Sequence, residues 1–149
     1  MPKKKSYYSG RFRPSNPGKY KGDPTNIIYR SSWEKKVMIW CDVNSNVLKW
    51  SSEEIIIPYR SPIDGKVHRY FPDFYVKGRL KGSGVKEYII EVKPAAQCKR
   101  PKPTTKVTKR YINEVKTYSV NQAKWKAARS YGKDRKQEFV VLTEKDLGL

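Results

Sequence analysis

An α/β fold, with a mixed central sheet flanked by helices, is what this 149-residue sequence predicts. Three observations carry that prediction. Apolar residues recur at helical spacing in two separated segments, near 26–41 and 111–131. Short β-branched or aromatic runs bounded by turn residues lie between and after them. The length suits one compact domain, so helices and strands share one core and the expected order is αβββαβ.

Residues 1–22 hold Lys3, Lys4, Lys5, Arg11, Arg13, Lys19 and Lys21 with no acid, interrupted by Pro2, Pro14 and Pro17. A segment so charged and so poor in aliphatics is predicted to be a disordered basic arm, which leaves 23–149 as the folded domain. Asp23-Pro24-Thr25-Asn26 supplies capping residues for a first helix that starts at Asn26 or Ser31 and ends at Cys41. Trp33, Val37 and Trp40, at i, i+4 and i+7, make the stripe expected to face the sheet. Asp42-Val43-Asn44-Ser45-Asn46 ends it.

Val47 to Trp50 and the run Glu54-Ile55-Ile56-Ile57-Pro58-Tyr59 are predicted strands. Asp64-Gly65 then turns the chain into a returning strand from Lys66 to Val76, because Asp-Gly between two extended runs favours a hairpin. A glycine-containing connection, 77–86, leads to the strand Tyr88-Ile89-Ile90-Glu91-Val92-Lys93. Three prolines and a cluster of lysines make 94–110 an expected mobile basic loop. A second helix follows over 111–131, with Gly132 as its C-terminal cap, and Glu138-Phe139-Val140-Val141-Leu142 is the last strand.

Composition narrows the function. Thirty-three Lys and Arg against 14 Asp and Glu give a net charge of +19, which favours a polyanionic partner, with DNA or RNA first. No apolar run approaches the roughly 18 residues of a membrane-spanning helix. Lys3-Lys4-Lys5 has no hydrophobic region behind it, so no secretory signal is expected and the compartment is cytosol-like. Cys41 and Cys98 form no CxxC pair and are expected as free thiols. His68 is the one histidine, which removes zinc fingers and nucleases built on several histidines.

The chemistry lies in two apolar runs that each contain an acid, Tyr70-Phe71-Pro72-Asp73-Phe74-Tyr75-Val76 and Tyr88-Ile89-Ile90-Glu91-Val92-Lys93-Pro94. Residues at i and i+2 of a strand share a face, so Glu91 and Lys93 point the same way. If the two strands adjoin, Asp73 converges on them. Two clustered carboxylates repel unless a proton or cation sits between them, and Mg²⁺ prefers such oxygen ligands together with phosphate and water. Lys93 can then orient or help activate the attacking water. Each fragment alone has a plainer explanation: Pro-Asp starts turns, and Glu-x-Lys is a common exposed charge pair. Together, on a basic background, they point to phosphodiester chemistry. Lys99, Arg100, Lys102, Lys106, Lys109 and Arg110 near this site are expected to clamp the DNA backbone, with Lys3, Lys4, Lys5, Arg11 and Arg13 of the arm assisting.

Phe71-Pro72-Asp73 followed by Glu91-Val92-Lys93 resembles the PD-(D/E)xK nuclease signature, and the αβββαβ order resembles that superfamily's restriction-endonuclease-like core. Tyr29-Arg30-Ser31-Ser32-Trp33-Glu34, Arg69 to Phe74 and Phe139 to Glu144 are most similar to the group that includes transposon-end endonucleases and the head completion nucleases of large contractile-tailed bacteriophages. The resemblance implies that Asp73 and Glu91 ligate Mg²⁺, with Mn²⁺ able to substitute, that the Val92 carbonyl completes the shell, and that Lys93 serves the water. It implies an acidic role for Glu34, although Ser31-x-x-Glu34 also reads as a capping box, and supporting roles for Gln122 and Lys126.

The implied activity is a deoxyribonuclease with little sequence preference that processes packaged DNA before head and tail join. Portal or neck proteins would be its partners, and it would act in the host cytoplasm and then at the head–tail junction of the virion. Two alternatives stay open: a basic structural protein of the virion without chemistry, and a Holliday-junction resolvase or transposition-type endonuclease.

Overall fold

The computed structural model describes residues 9–80 and 84–148. Gly10–Phe12 (β1) pairs antiparallel with Ile27–Tyr29 (β2). The first helix, Ser32–Val43 (α1), begins where extended Ser31 turns its Oγ to accept from Glu34 N at 3.1 Å, while Glu34 Oε1 accepts from Arg30 N at 2.9 Å. The first bond is the cap half of a capping box; the second reaches one residue further back, to Arg30 in place of the cap's own N–H. The buried stripe of α1 is Val37, Met38 and Cys41, rotated from the expected Trp33, Val37 and Trp40, and Trp40 is 42% exposed. Slim side chains at 37, 38 and 41 let the helix approach a sheet already filled by Trp50 and Phe74.

Val47–Ser52 (β3) is an edge strand; Ile57–Arg60 (β4) and Val67–Tyr70 (β5) then form a separate two-stranded hairpin closed around Asp64-Gly65, as expected. Phe74–Gly78 (β6), Lys86–Val92 (β7) and Gln137–Leu142 (β8) complete a main sheet in the order β3-β6-β7-β8. All its pairings are antiparallel except β7–β8. A parallel pair needs a long crossover, and Lys109–Arg135 (α2) supplies it. Leaving the hairpin and the β1–β2 pair aside, α1, β3, β6, β7, α2 and β8 give the expected αβββαβ order.

The expected strand 66–76 is two strands. It breaks at Phe71-Pro72-Asp73, because Pro72 has no N–H to give a ladder, and the chain passes from hairpin to sheet there. One face of the sheet carries Trp50, Phe74, Val76, Tyr88 and Ile90 against α1. The opposite side gathers Ile57, Tyr70, Trp125 and Ala128, so the hairpin and α2 share a second core.

Two expectations about basic segments change. Residues 9–22 are part of the folded domain: Phe12 and Tyr20 are buried, edge-on to Trp50 with ring centroids at 5.9 and 4.8 Å. Buried Asp42 accepts from Ser15 N at 2.7 Å and Asn16 N at 2.9 Å, and Lys19 Nζ donates to the carbonyls of Asp42 and Asn44. Two aromatics and one anchored carboxylate outweigh the charge that predicted disorder. Arg11 and Arg13 therefore stand exposed on ordered backbone, and Lys3, Lys4 and Lys5 lie outside the described residues.

The second change concerns 94–110. Ala95–Cys98 forms a 3₁₀ turn whose Ala95 N donates to Glu144 Oε1 at 2.8 Å, and Lys109 and Arg110 belong to α2, which Thr108 caps. Nor does Gly132 end that helix. Lys136 holds the left-handed cap position at φ 58°, and Gly132 lies within the helix where an added Cβ would meet the Gln137 carbonyl oxygen at 2.2 Å.

Candidate active site

The register Phe74↔Ile90, continued by one step, sets Asp73 opposite Glu91. Opposed residues of an antiparallel pair share a face, and here it is the α2 side. Asp73 Oδ2 accepts from Val92 N at 2.8 Å, which ties the Pro72-Asp73 turn to the end of β7, and the Asp73 carbonyl accepts from Glu53 N at 3.1 Å. Glu91 is buried. Its Oε1 accepts from the Tyr70 hydroxyl at 2.6 Å, and its Oε2 lies 3.5 Å from Lys93 Nζ.

Burial, and then the Glu91 charge, push the Asp73 carboxyl up to about 8; the Val92 N–H opposes this. A half-buried carboxylate facing a buried one is unfavourable without a proton or cation between them.

Glu34 sits at the start of α1 beside Val92 and Pro94, bordering the pair across the end of β7. Burial holds its carboxyl above the usual range, the Arg30 N–H opposes this, and Glu53 and Glu91 add to it. Glu53 in turn pairs with the Arg30 guanidinium. The structure thus brings Asp73, Glu91 and Lys93 together, with Glu34 at the margin serving as a helix cap.

On α2, Gln122 is half-buried and Lys126 exposed, and neither forms a hydrogen bond or ion pair with the carboxylates. The helix instead offers Lys124, which sequence reasoning missed. Its Nζ lies over the rings of Tyr70 and Tyr59, at 5.5 and 5.8 Å from their centroids. Burial lowers its pKa, while the charges of Glu91 and Asp73 work against that. The structure shows Asn121, Trp125 and Ala128 as the buried stripe, and 124 falls inside it. His68 is exposed and bound to Asp64 Oδ2 at 2.8 Å, and Cys41 and Cys98 are free thiols.

Among the described residues no group of three His, Cys, Asp or Glu side chains closes around one metal-sized point. Two opposed carboxylates are still a donor set suited to a hard divalent cation that keeps several waters and takes phosphate oxygens. The elevated carboxyl of Asp73 is the mark of a pair that a cation would relieve. These residues fit the ion.

Lys99, Arg100, Lys102, Lys106, Lys109 and Arg110 are all exposed, and Arg110 is engaged by Glu114 at 3.3 Å. A helix of 27 residues is about 40 Å long, whereas the six residues of β8 span about 20 Å. The basic N-terminal half of α2 therefore runs past the end of the sheet that carries Asp73 and Glu91. A cavity of about 700 Å³ lies along it, lined by Gln97, Lys99, Arg110, Asn113 and Tyr118 among others.

A mixed sheet in αβββαβ order, with an Asp opposite a Glu-x-Lys strand end, defines the PD-(D/E)xK class of nucleases, of restriction-endonuclease-like fold. The model of the TnsA-like endonuclease N-terminal family matches residues 44–144, a span that holds Asp73, Glu91, Lys93 and Lys124 and begins after Glu34. The chain belongs to that family. It is also 44% identical over 144 residues to the head completion nuclease of Enterobacteria phage T4, covering 94% of this chain and 93% of that protein. No helix among the described residues is long and apolar enough to cross a membrane.

Proposed function

We propose that this protein is a Mg²⁺-dependent deoxyribonuclease that hydrolyses phosphodiester bonds with little sequence preference and acts in phage head completion. The observation that carries the reading is half-buried Asp73 opposed to buried Glu91, with Lys93 Nζ 3.5 Å from Glu91. Asp73, Glu91 and the Val92 carbonyl would hold the ion, with Mn²⁺ able to replace it. When bound, such an ion lowers the pKa of its water and polarises a non-bridging phosphate oxygen.

Lys93 orients that water and offsets charge as its oxygen attacks phosphorus and the sugar oxygen departs. Lys124, across from it, supplies a second cation towards the phosphate. Glu34 contributes negative charge at the margin and fixes the start of α1. Exposed basic residues on the loop and α2, with Arg11 and Arg13, hold the backbone without reading bases. The close relationship to the phage T4 protein over nearly the whole of both chains supports the same stage of assembly, with portal or neck proteins as partners and the virion as final location.

The test is incubation of purified protein with supercoiled and linear DNA in Mg²⁺, beside Asp73→Ala and Lys93→Ala. Cutting by wild type and loss in both variants is expected; intact DNA, or cutting that both variants retain, would overturn the reading. The +19 charge favours one second reading, a DNA-binding virion component whose chemistry is dispensable. Particles carrying Asp73→Ala separate the two, since normal maturation in them assigns the function to binding.

A further inference from the structure

The hairpin of β4 and β5 turns one face into the protein and one outward. Ile57 and Tyr70, opposed in register, are the inward pair, and both are buried. The alternate positions face solvent as cross-strand pairs: Pro58 with Arg69, Arg60 with Val67 and, one step further along the same register, Ile56 with Phe71. All six are exposed; Ile56 is 48%, Val67 61% and Phe71 40% accessible, and they stand together on one ribbon face with Arg60 and Arg69.

None of these six positions is an acid. The Arg69 guanidinium sits over the Phe71 ring at 5.7 Å, and Arg60 braces the turn by donating to the Gly65 carbonyl. The acid of the turn, Asp64, is taken up by His68 and by the N–H of Lys66. Phe71 stands two residues before Asp73, and its neighbour Tyr70 donates to Glu91 Oε1, so this end of the ribbon adjoins the carboxylate pair.

We propose that the outward face of the hairpin enters a groove of duplex DNA beside the cut, with Phe71 pressed against a base step and Arg69 and Arg60 on the flanking phosphates. The inference rests on the nuclease reading and deepens it by assigning how the duplex is held. Exposed apolar side chains framed by arginines, on a two-stranded ribbon, are the chemistry of a groove contact that partly unstacks a step. The wedge introduces a preference that backbone contacts lack. Pyrimidine–purine steps unstack most readily, so cutting concentrates at a fixed offset from them.

Two measurements test this. Affinity for a mixed-sequence duplex is measured by fluorescence anisotropy across a salt series in the full-length Asp73→Ala chain, where no cutting confuses binding. Adding Arg69→Ala is expected to weaken binding about tenfold and to lower the slope of log affinity against log salt by about 1. The cut positions of otherwise wild-type protein are mapped by end sequencing in Mg²⁺. Enrichment at pyrimidine–purine steps that Phe71→Ala flattens supports the wedge.

Unchanged affinity together with an unchanged map overturns the proposal. So does a Phe71→Ala protein that binds and cuts as wild type but no longer associates with capsids, since the face then belongs to a protein partner. If wild-type protein cuts nothing, the nuclease reading fails while the anisotropy series still decides whether the ribbon holds DNA.

Discussion

Asp73 stands where a carboxylate is uncomfortable, half-buried and opposite Glu91, and that discomfort has a measurable sign. Its carboxyl ionises in the unfolded chain at the ordinary value of 3.8 and in the folded one at about 8. Below both values the proton is held in each state and stability is greatest. As pH rises between them the unfolded chain sheds its proton first, so metal-free protein loses stability progressively up to about pH 8. In EDTA the Tm of wild type should fall between pH 5 and 8, that of Asp73→Asn should fall less, and Mg²⁺ should recover most of the wild-type loss; a pH-independent difference would contradict the buried pair. Lys124→Met should lower the cutting rate about 10- to 100-fold while leaving Mn²⁺ affinity, measured by calorimetry, within about twofold. Asp73, Glu91 and Lys93 were legible in the sequence because strand periodicity is strict and their runs are short. Lys124 was not, because at helical spacing an error of two positions, from 124 to 122 or 126, swings a side chain by about 200°.

At the scale of elements, the helix termini set the site. Ser31→Ala removes the acceptor for Glu34 N and should destabilise the fold by about 1 kcal/mol in urea titration, with Glu34→Gln milder because an amide oxygen can still accept from Arg30 N. Gly132→Ala inverts the usual expectation. Alanine in an exposed helix interior stabilises by up to about 1 kcal/mol, but here the added methyl strikes the Gln137 carbonyl oxygen, so a loss of about 1–3 kcal/mol is expected in the same titration. The hairpin, both helices and the four strands of the main sheet could be named from turn residues and periodicity. Three boundaries could not: the break at Phe71-Pro72-Asp73, the extension of α2 to Arg135, and the rotation of the α1 stripe onto Val37, Met38 and Cys41. Each depends on what the element meets across the core, which local pattern does not encode.

Across the whole molecule, the N-terminal segment is structural as well as basic. Phe12→Ala should cost about 3–5 kcal/mol in chemical denaturation, because its ring closes one side of Trp50. Loss of residues 1–22 should accordingly lower the Tm as well as DNA affinity, an outcome a purely electrostatic arm would not produce. The sequence by itself determined the class of fold, the strongly basic charge, and the placing of Glu91 and Lys93 on one face of a strand, since periodicity, charge and spacing are local properties. The tertiary structure alone decided that Phe12 and Tyr20 close the core, that Asp73 lies opposite Glu91 with Tyr70 and Lys124 beside them, and that an apolar, arginine-framed ribbon faces outward. Those features arise where segments distant in the chain meet. Burial there turns on which neighbours fill the space, and a residue's own type does not state its neighbours.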